Sequence, residues 1–360
     1  MIMRSIGVHV FLFVGSAVLG LQAWTSEDDP NKKQVAAELW SGRLSDLQRI
    51  EFRTDKKLVA LEPKQDEAGR YFVGTVETQK APPKPAAGAD AGAPAASPHD
   101  PHGGDHADPH APAPAAGDGK PMRFISLSKG EELANGLVTL KASRVLGKIA
   151  PERLGEFGFD KAEFGTLKVV ISGKEHNLAL GEKTPGGSDR YVRNPDTGDA
   201  YVISGTIAND LSSADNRLVE REFHDFGEEK IAKVVIKGKD SSREIVRHAE
   251  EKDFWARSDS PATKDETVSN WMTKLERLRV TNYTETVEPP PAPEDQVVRV
   301  EYFNDRGKSL GHIEVVKLSA KDAKDRPEYV ARSERTRWYA TVLRSTAEQI
   351  DQDLASVLAP

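Results

Sequence analysis

The sequence predicts an α+β protein: an N-terminal transmembrane helix, then two tandem, internally repeated modules of mostly antiparallel sheet with packed helices, interrupted by a disordered Ala/Pro/His-rich loop. Three observations predict it. Ile6–Trp24 is a run of 19 residues without Asp, Glu, Lys or Arg. Strand-like and helix-like landmarks recur in the same order in both halves of the chain, and Ala81–Pro121 is compositionally unlike everything around it. The boundaries that follow are 1–25 for the anchor (or signal peptide), 26–43 for a connector, 44–225 for the first module with insertion 81–121, and 226–360 for the second module.

Composition narrows the function before any motif does. The 360 residues are 38% hydrophobic and 30% charged, enough apolar side chain for a buried core. A formal charge of −7 argues against nucleic acid, whose phosphates need a basic face. The absence of cysteine excludes disulfides, thiolate metal ligands, thiol nucleophiles and a lipid-modified N-terminal cysteine.

As a helix, Ile6–Trp24 rises roughly 28 Å, close to the ~30 Å hydrocarbon core of a bilayer. Only His9, Ser16 and Gln22 interrupt it, whereas a soluble core helix carries polar residues every three or four positions. Trp24 closes the run, where an indole buries its ring and hydrates its N–H. A cleaved signal peptide is the competing reading, with Arg4 as its positive region and Phe11–Leu21 as its apolar region. Val18-Leu19-Gly20 and Leu21-Gln22-Ala23 only half match the small-x-small processing rule, which favours an uncleaved single-pass anchor. The short head suits a signal anchor with the bulk of the chain exported.

The insertion Ala81–Pro121 holds 10 of the 22 prolines, 13 alanines and six glycines, and no large apolar residue. Such a stretch cannot offset its ordering entropy. Strand-like Tyr71-Phe72-Val73 precedes it and Met122-Arg123-Phe124-Ile125 follows it, so it interrupts one domain and does not divide two. Its centre carries His99, His102, His106 and His110 among Asp100, Asp105 and Asp108. Histidine with carboxylate binds Zn²⁺, Ni²⁺ or Cu²⁺, which makes these four the candidate metal ligands. A solvated linker is the plainer reading, because the loop offers no fixed second shell.

The modules are read from paired landmarks. Leu47–Phe52 has much the apolar spacing of Ile231–Ile236, and each leads through a second strand to an aromatic pair, Tyr71-Phe72 or Phe254-Trp255. A helical stretch follows, Lys129–Leu146 or Lys264–Leu278; in the latter Val268, Trp271, Met272, Leu275 and Leu278 fall at core-facing spacing. Leu167–Ile171 then matches Val297–Tyr302, and Asn177–Leu180 matches His312–Val316. Tyr191-Val192 precedes Tyr201 by the spacing at which Tyr329-Val330 precedes Tyr339, and short helices close the copies at Thr206–Leu211 and Ser345–Leu358. The tyrosines with Trp255 or Trp338 could form a sugar-binding platform, but at period-two positions they read as half-buried sheet residues.

These motifs resemble the bacterial envelope proteins of domain-of-unknown-function family 4340, often encoded beside gliding-motility-type ABC transporters. The residues that carry the resemblance are Leu154–Asp160, Leu180–Gly187, Arg190–Arg193, Ala200–Val202 and Asn216-Arg217-Leu218. It covers Leu47–Lys237 directly and the remainder through the repeat. Two features depart from the family pattern: the Ala/Pro/His insertion, and Lys161-Ala162 where a proline usually follows the Gly158-Phe159-Asp160 turn. The resemblance implies an export or envelope context and no catalytic residue.

No motif carries chemistry. Gly181-Glu182-Lys183-Thr184 lacks the upstream glycine of a phosphate loop, and Gly-x-Gly-x-x-Gly, His-Glu-x-x-His and Gly-x-Ser-x-Gly are absent. Ser204-Gly205 reads as a helix cap. His176, His224, His248 and His312 are scattered, and Glu228-Glu229 and Glu250-Glu251 are neighbours in strand or turn contexts; adjacent side chains on a strand point to opposite faces. Arg332–Arg337 reads as a solvated edge strand.

The expected function is therefore a membrane-anchored extracytoplasmic scaffold, adaptor or binding subunit of an ABC-transporter or motility-type envelope assembly. It needs no catalysis and no cofactor; its partners are membrane lipid, through the first helix, and envelope or transporter subunits, not nucleic acid. The alternatives are an envelope hydrolase using scattered His and carboxylate groups, which a buried cleft holding the two in contact would favour, and a metal-capturing His-rich periplasmic protein.

Overall fold

A computed structural model describes residues 37–78, 121–248, 254–284, 291–319 and 326–359. The membrane run Ile6–Trp24, the four loop histidines and Glu250-Glu251 lie outside the described residues. Among those described, no helix is long and apolar enough to cross a membrane.

Alternation of apolar and polar residues builds two antiparallel sheets. In the first, β2 (Leu47–Arg53) buries Leu47, Ile50 and Phe52 and pairs with β3 (Lys57–Asp66) on one side and β8 (Thr166–Ile171) on the other. Beyond β3 lie β4 (Gly69–Thr78) and β5 (Met122–Ser126), so the strands flanking the insertion pair directly, Val76 opposite Met122. Beyond β8 come β9 (Lys174–Lys183), β10 (Arg190–Arg193), β11 (Asp199–Ile203) and β7 (Arg144–Lys148), giving the order β5-β4-β3-β2-β8-β9-β10-β11-β7. Helix α1 (Ser128–Val138) packs on this sheet through Leu133, Ala134 and Leu137, and α2 (Gly205–Ser212) and α3 (Ala214–Arg217) follow β11. Ser204 caps α2 as expected, its hydroxyl accepting from the Thr206 N–H at 3.3 Å.

The second sheet runs β14 (Trp255–Arg257), β13 (Ser242–Arg247), β12 (Lys233–Lys237), β16 (Gln296–Phe303), β17 (Ser309–Leu318), β18 (Glu328–Ser333), β19 (Tyr339–Val342) and β15 (Val280–Thr284). Helix α4 (Glu266–Glu276) starts where Asp265 accepts from the Val268 N–H at 3.0 Å. Val268, Trp271, Met272 and Leu275 are buried on one face, which packs against α5 (Arg344–Leu358). The Trp271 indole N–H donates to Ile350 O at 3.0 Å, so the largest buried side chain keeps its polar atom satisfied. Trp255 and Tyr329 are buried sheet residues and Trp338 packs against the core, as the period-two reading expects. The mostly antiparallel α+β class is thus observed.

Three expectations change. The helix expected over Lys129–Leu146 ends at Val138 and continues as strands β6 (Thr139–Ala142) and β7. The stretch expected as connector contains β1 (Ala37–Ser41), which pairs with β6 in a two-stranded ribbon. One contact explains both: the Trp40 indole N–H donates to Leu137 O at 2.7 Å, satisfying a last-turn helix carbonyl and fixing β1 there. Third, Arg332–Arg337 is no edge strand, since β18 sits between β17 and β19 and the side chains of Arg335 and Arg337 are 17% and 11% exposed.

Close packing predicts one costly substitution. Gly74 lies opposite Phe124, and an added methyl would stand 2.2–2.6 Å from ring atoms of that fully buried side chain. Gly74→Ala is expected to cost about 1–3 kcal/mol by overpacking, measured by urea unfolding; an unchanged midpoint would refute this account of the packing.

Candidate functional site

Titratable side chains converge where the segment between the two sheets meets the second sheet. The segment after α3 places His224 against β16, its ring 4.7 Å from both Phe226 and Tyr302. His224 Nδ1 lies 3.1 Å from Glu334 Oε1, and the other Glu334 oxygen accepts from the His312 backbone N–H at 2.8 Å. Burial alone would raise the Glu334 carboxyl, but the hydrogen bonds from His224 and His312 outweigh it and hold it below the usual range. His312 is held down mainly by burial, with Arg299 adding repulsion.

On the other side of the same cavity, the end of α4 presents Glu276 to Glu228. Burial, then the bonded and charged Glu228, pushes the Glu276 carboxyl up to about 8, while Glu228 is lowered by the hydrogen bond from Glu276 and by Arg247. The pair shares one proton at neutral pH, with Glu276 the donor. Burial also raises the Tyr302 phenol, reinforced by Glu276 and Glu334. The cavity measures about 190 Å³, room for a few waters. His224 Nε2 and Glu276 Oε1 are both buried there without a protein partner.

This arrangement holds a proton and orients an imidazole. It presents no serine, threonine or cysteine among the described lining residues, and the unpaired imidazole nitrogen is sealed from solvent. No group of three His, Cys, Asp or Glu among the described residues could hold a metal ion. A larger cleft of about 830 Å³ lies between the end of α5 and the Gly238–Ser241 turn, but its Asp351 is already engaged by Lys317 and Tyr329.

The residues singled out in the sequence fall unevenly around this site. His224 and His312 are brought together by Glu334, whereas His176 is on β9 in the other sheet, stacked on Trp40. Glu228 faces Glu276 and not its neighbour Glu229, and Glu228–Lys230 takes the turn alternative as a 3-10 turn. Sequence reasoning missed Glu276 and Glu334; neither has a local motif, and their partners lie 48 and 110 positions away. Gly181-Glu182-Lys183 ends strand β9 and forms no phosphate loop.

The residues that carried the family resemblance lie at the end of the 3-10 turn Pro151–Phe157, on β9, β10 and β11, and at α3. Gly158, at φ +73°, ends the 3-10 turn Pro151–Phe157, and Gly181 admits the Phe157 carbonyl, which a side chain there would meet at 2.2 Å. Gly186, at φ +71°, turns β9 into β10. Gly158 and Gly181 admit close neighbours, and Gly186 supplies the turn. Residues 127–297 match the profile of the family described as Domain of unknown function (DUF4340). The matched stretch runs from α1 to the start of β16, cutting both sheets, whereas the resembling motifs span Leu47–Lys237. No curated protein and no solved structure matches the chain.

Proposed function

We propose, from the premise that residues 127–297 carry a DUF4340 domain, that the chain is a membrane-anchored extracytoplasmic scaffold, adaptor or binding subunit of an ABC-transporter or motility-type envelope assembly, without catalysis. The observation that carries this reading is the seam between the sheets. Glu220 donates its N–H to Ile125 O of β5 at 2.8 Å, its carbonyl accepts from the Tyr283 hydroxyl of β15 at 2.9 Å, and its carboxylate accepts from Arg335 at 2.8 Å. Arg337 adds a two-pronged bond to Asp66 and lies over the Tyr71 ring at 4.5 Å. Two modules fixed in one geometry are what an adaptor needs to hold partners apart at a set distance.

The proposal includes a duplicated origin for the body. With β5 left out, the first sheet reads β4-β3-β2-β8-β9-β10-β11-β7 and the second β14-β13-β12-β16-β17-β18-β19-β15, the same chain order at every place. The leading run Ile6–Trp24 supports the anchor.

The His224–Glu334 contact beside a cavity favours the rival reading, an envelope hydrolase. Against it stands the burial of His224 Nε2, which has no route to a substrate in this conformation. Full-length protein is expected in the membrane pellet, released by detergent and not by salt, and pull-down from solubilised membranes should recover permease or ATPase subunits. Recovery of the chain alone, or from the soluble fraction, would count against the assembly role.

A further inference from the structure

The core-side face of the first sheet changes chemistry at one corner. Leu180, Val192 and Tyr201 stand directly opposite one another on β9, β10 and β11, so they share a face. Along those rows His176 and Asn194 continue the same face where the buried leucines and valines stop. The β1–β6 ribbon lies over this corner and sets the Trp40 ring on His176, centroids 4.6 Å apart and planes 25° from parallel. Trp40 is immobilised by its bond to Leu137 O.

Beneath the ribbon is a cleft of about 830 Å³, within the size range of small-molecule sites. The chemistry of its wall is selective. Burial, with Lys174 nearby, holds the His176 imidazole below its usual range, so the ring is neutral at pH 7. The Tyr201 hydroxyl and the His176 ring nitrogens take no hydrogen bond from the described residues. Asn194 Oδ1 accepts from the Asp196 and Thr197 N–H groups, which leaves its NH₂ as a donor. The rim charges nearly balance, and Glu175 is neutralised by Lys168, so neither sign dominates enough to select a phosphate or a polycation. Fixed aromatic rings beside neutral donors and acceptors fit a ligand that is hydroxyl-rich at its edge and C–H-rich on its face.

We propose that this cleft binds a neutral saccharide, packed against Trp40, His176 and Tyr201 and hydrogen-bonded by Tyr201 and Asn194. Of the rings considered for a sugar platform in the sequence, this site uses Tyr201 alone; Trp255 and Tyr329 lie in the core. Saccharide binding does not depend on the anchoring proposed above, since each can hold without the other.

The test is calorimetric titration of detergent-solubilised full-length protein with chitotetraose, cellotetraose and maltotetraose. Saturable binding of at least one is expected, with Tyr201→Phe and His176→Ala each weakening it about tenfold. Tyr201→Phe keeps the ring and its packing, so it reports the hydroxyl even where His176→Ala perturbs the fold. No heat with any of the three, unchanged affinity in Tyr201→Phe, or binding only to phosphatidylethanolamine vesicles would overturn the proposal.

Discussion

Arg335→Ala is expected to lower the unfolding free energy by about 3 kcal/mol and to split one unfolding transition into two. The loss comes from what the arginine leaves behind. Glu220 is 10% exposed, and Arg335 is its ion-pair partner at 2.8 Å; without it a carboxylate is stranded at the contact between β5 and β15. Removing one member of a buried pair costs more than the pair contributes, because the other stays desolvated. Glu220→Gln combined with Arg335→Met should therefore recover much of the loss, and the cycle isolates the pairing energy. Arg337→Ala should cost less, since Asp66 is 35% exposed and regains water. The Arg337 hydrogen bond lowers the Asp66 carboxyl, so this contact strengthens folding above the ordinary carboxylate range and is lost as pH falls through the lowered value. A single, unshifted urea transition in Arg335→Ala would dismiss the seam as a structural element.

The seam and the acid pair show where the sequence stops being legible. Strands announce themselves locally: Ile50 and Phe52 alternate with polar neighbours in β2, with a register shift between Leu47 and Arg49, and the paired tyrosines locate β10, β11, β18 and β19. The core face of α4 follows from helical spacing, and all five residues expected there are buried. Contacts between distant segments carry no such period. Arg332–Arg337 looks like any solvated charge run until Glu220 and Asp66 are placed beside it. The adjacency of Glu228-Glu229 is visible in a string, whereas Glu276 pairs with Glu228 only once α4 is folded. The false helix through Leu146 has the same origin: α1 stops where Trp40, 97 positions earlier, takes its carbonyl.

Glu276→Gln is expected to stabilise the protein at pH 8 by about 2 kcal/mol, discounted for the partial exposure of the site. The sign follows from proton counting. Unfolded Glu276 releases its proton near 4.5, and folded Glu276 keeps it to about 8. Between those values the native state binds more protons than the unfolded chain, so stability falls as pH rises. Glutamine keeps a neutral donor beside Glu228 and removes that slope. Two neighbours need separating from it. Glu228 is lowered, so its contribution is lost only below the ordinary carboxylate value; His176 and His312, lowered from 6.5, add stability as pH rises toward that value. The clean window is pH 7 to 8, where wild type should lose about 1 kcal/mol and Glu276→Gln should not. Glu228→Gln then divides the causes. It removes the neighbouring charge but leaves the burial that contributes most, so Glu276 should titrate lower than in wild type yet above an exposed glutamate. Carboxyl carbon chemical shifts followed through pH report this directly. Parallel stability profiles for wild type and Glu276→Gln would mean that the two carboxylates do not share a proton in solution.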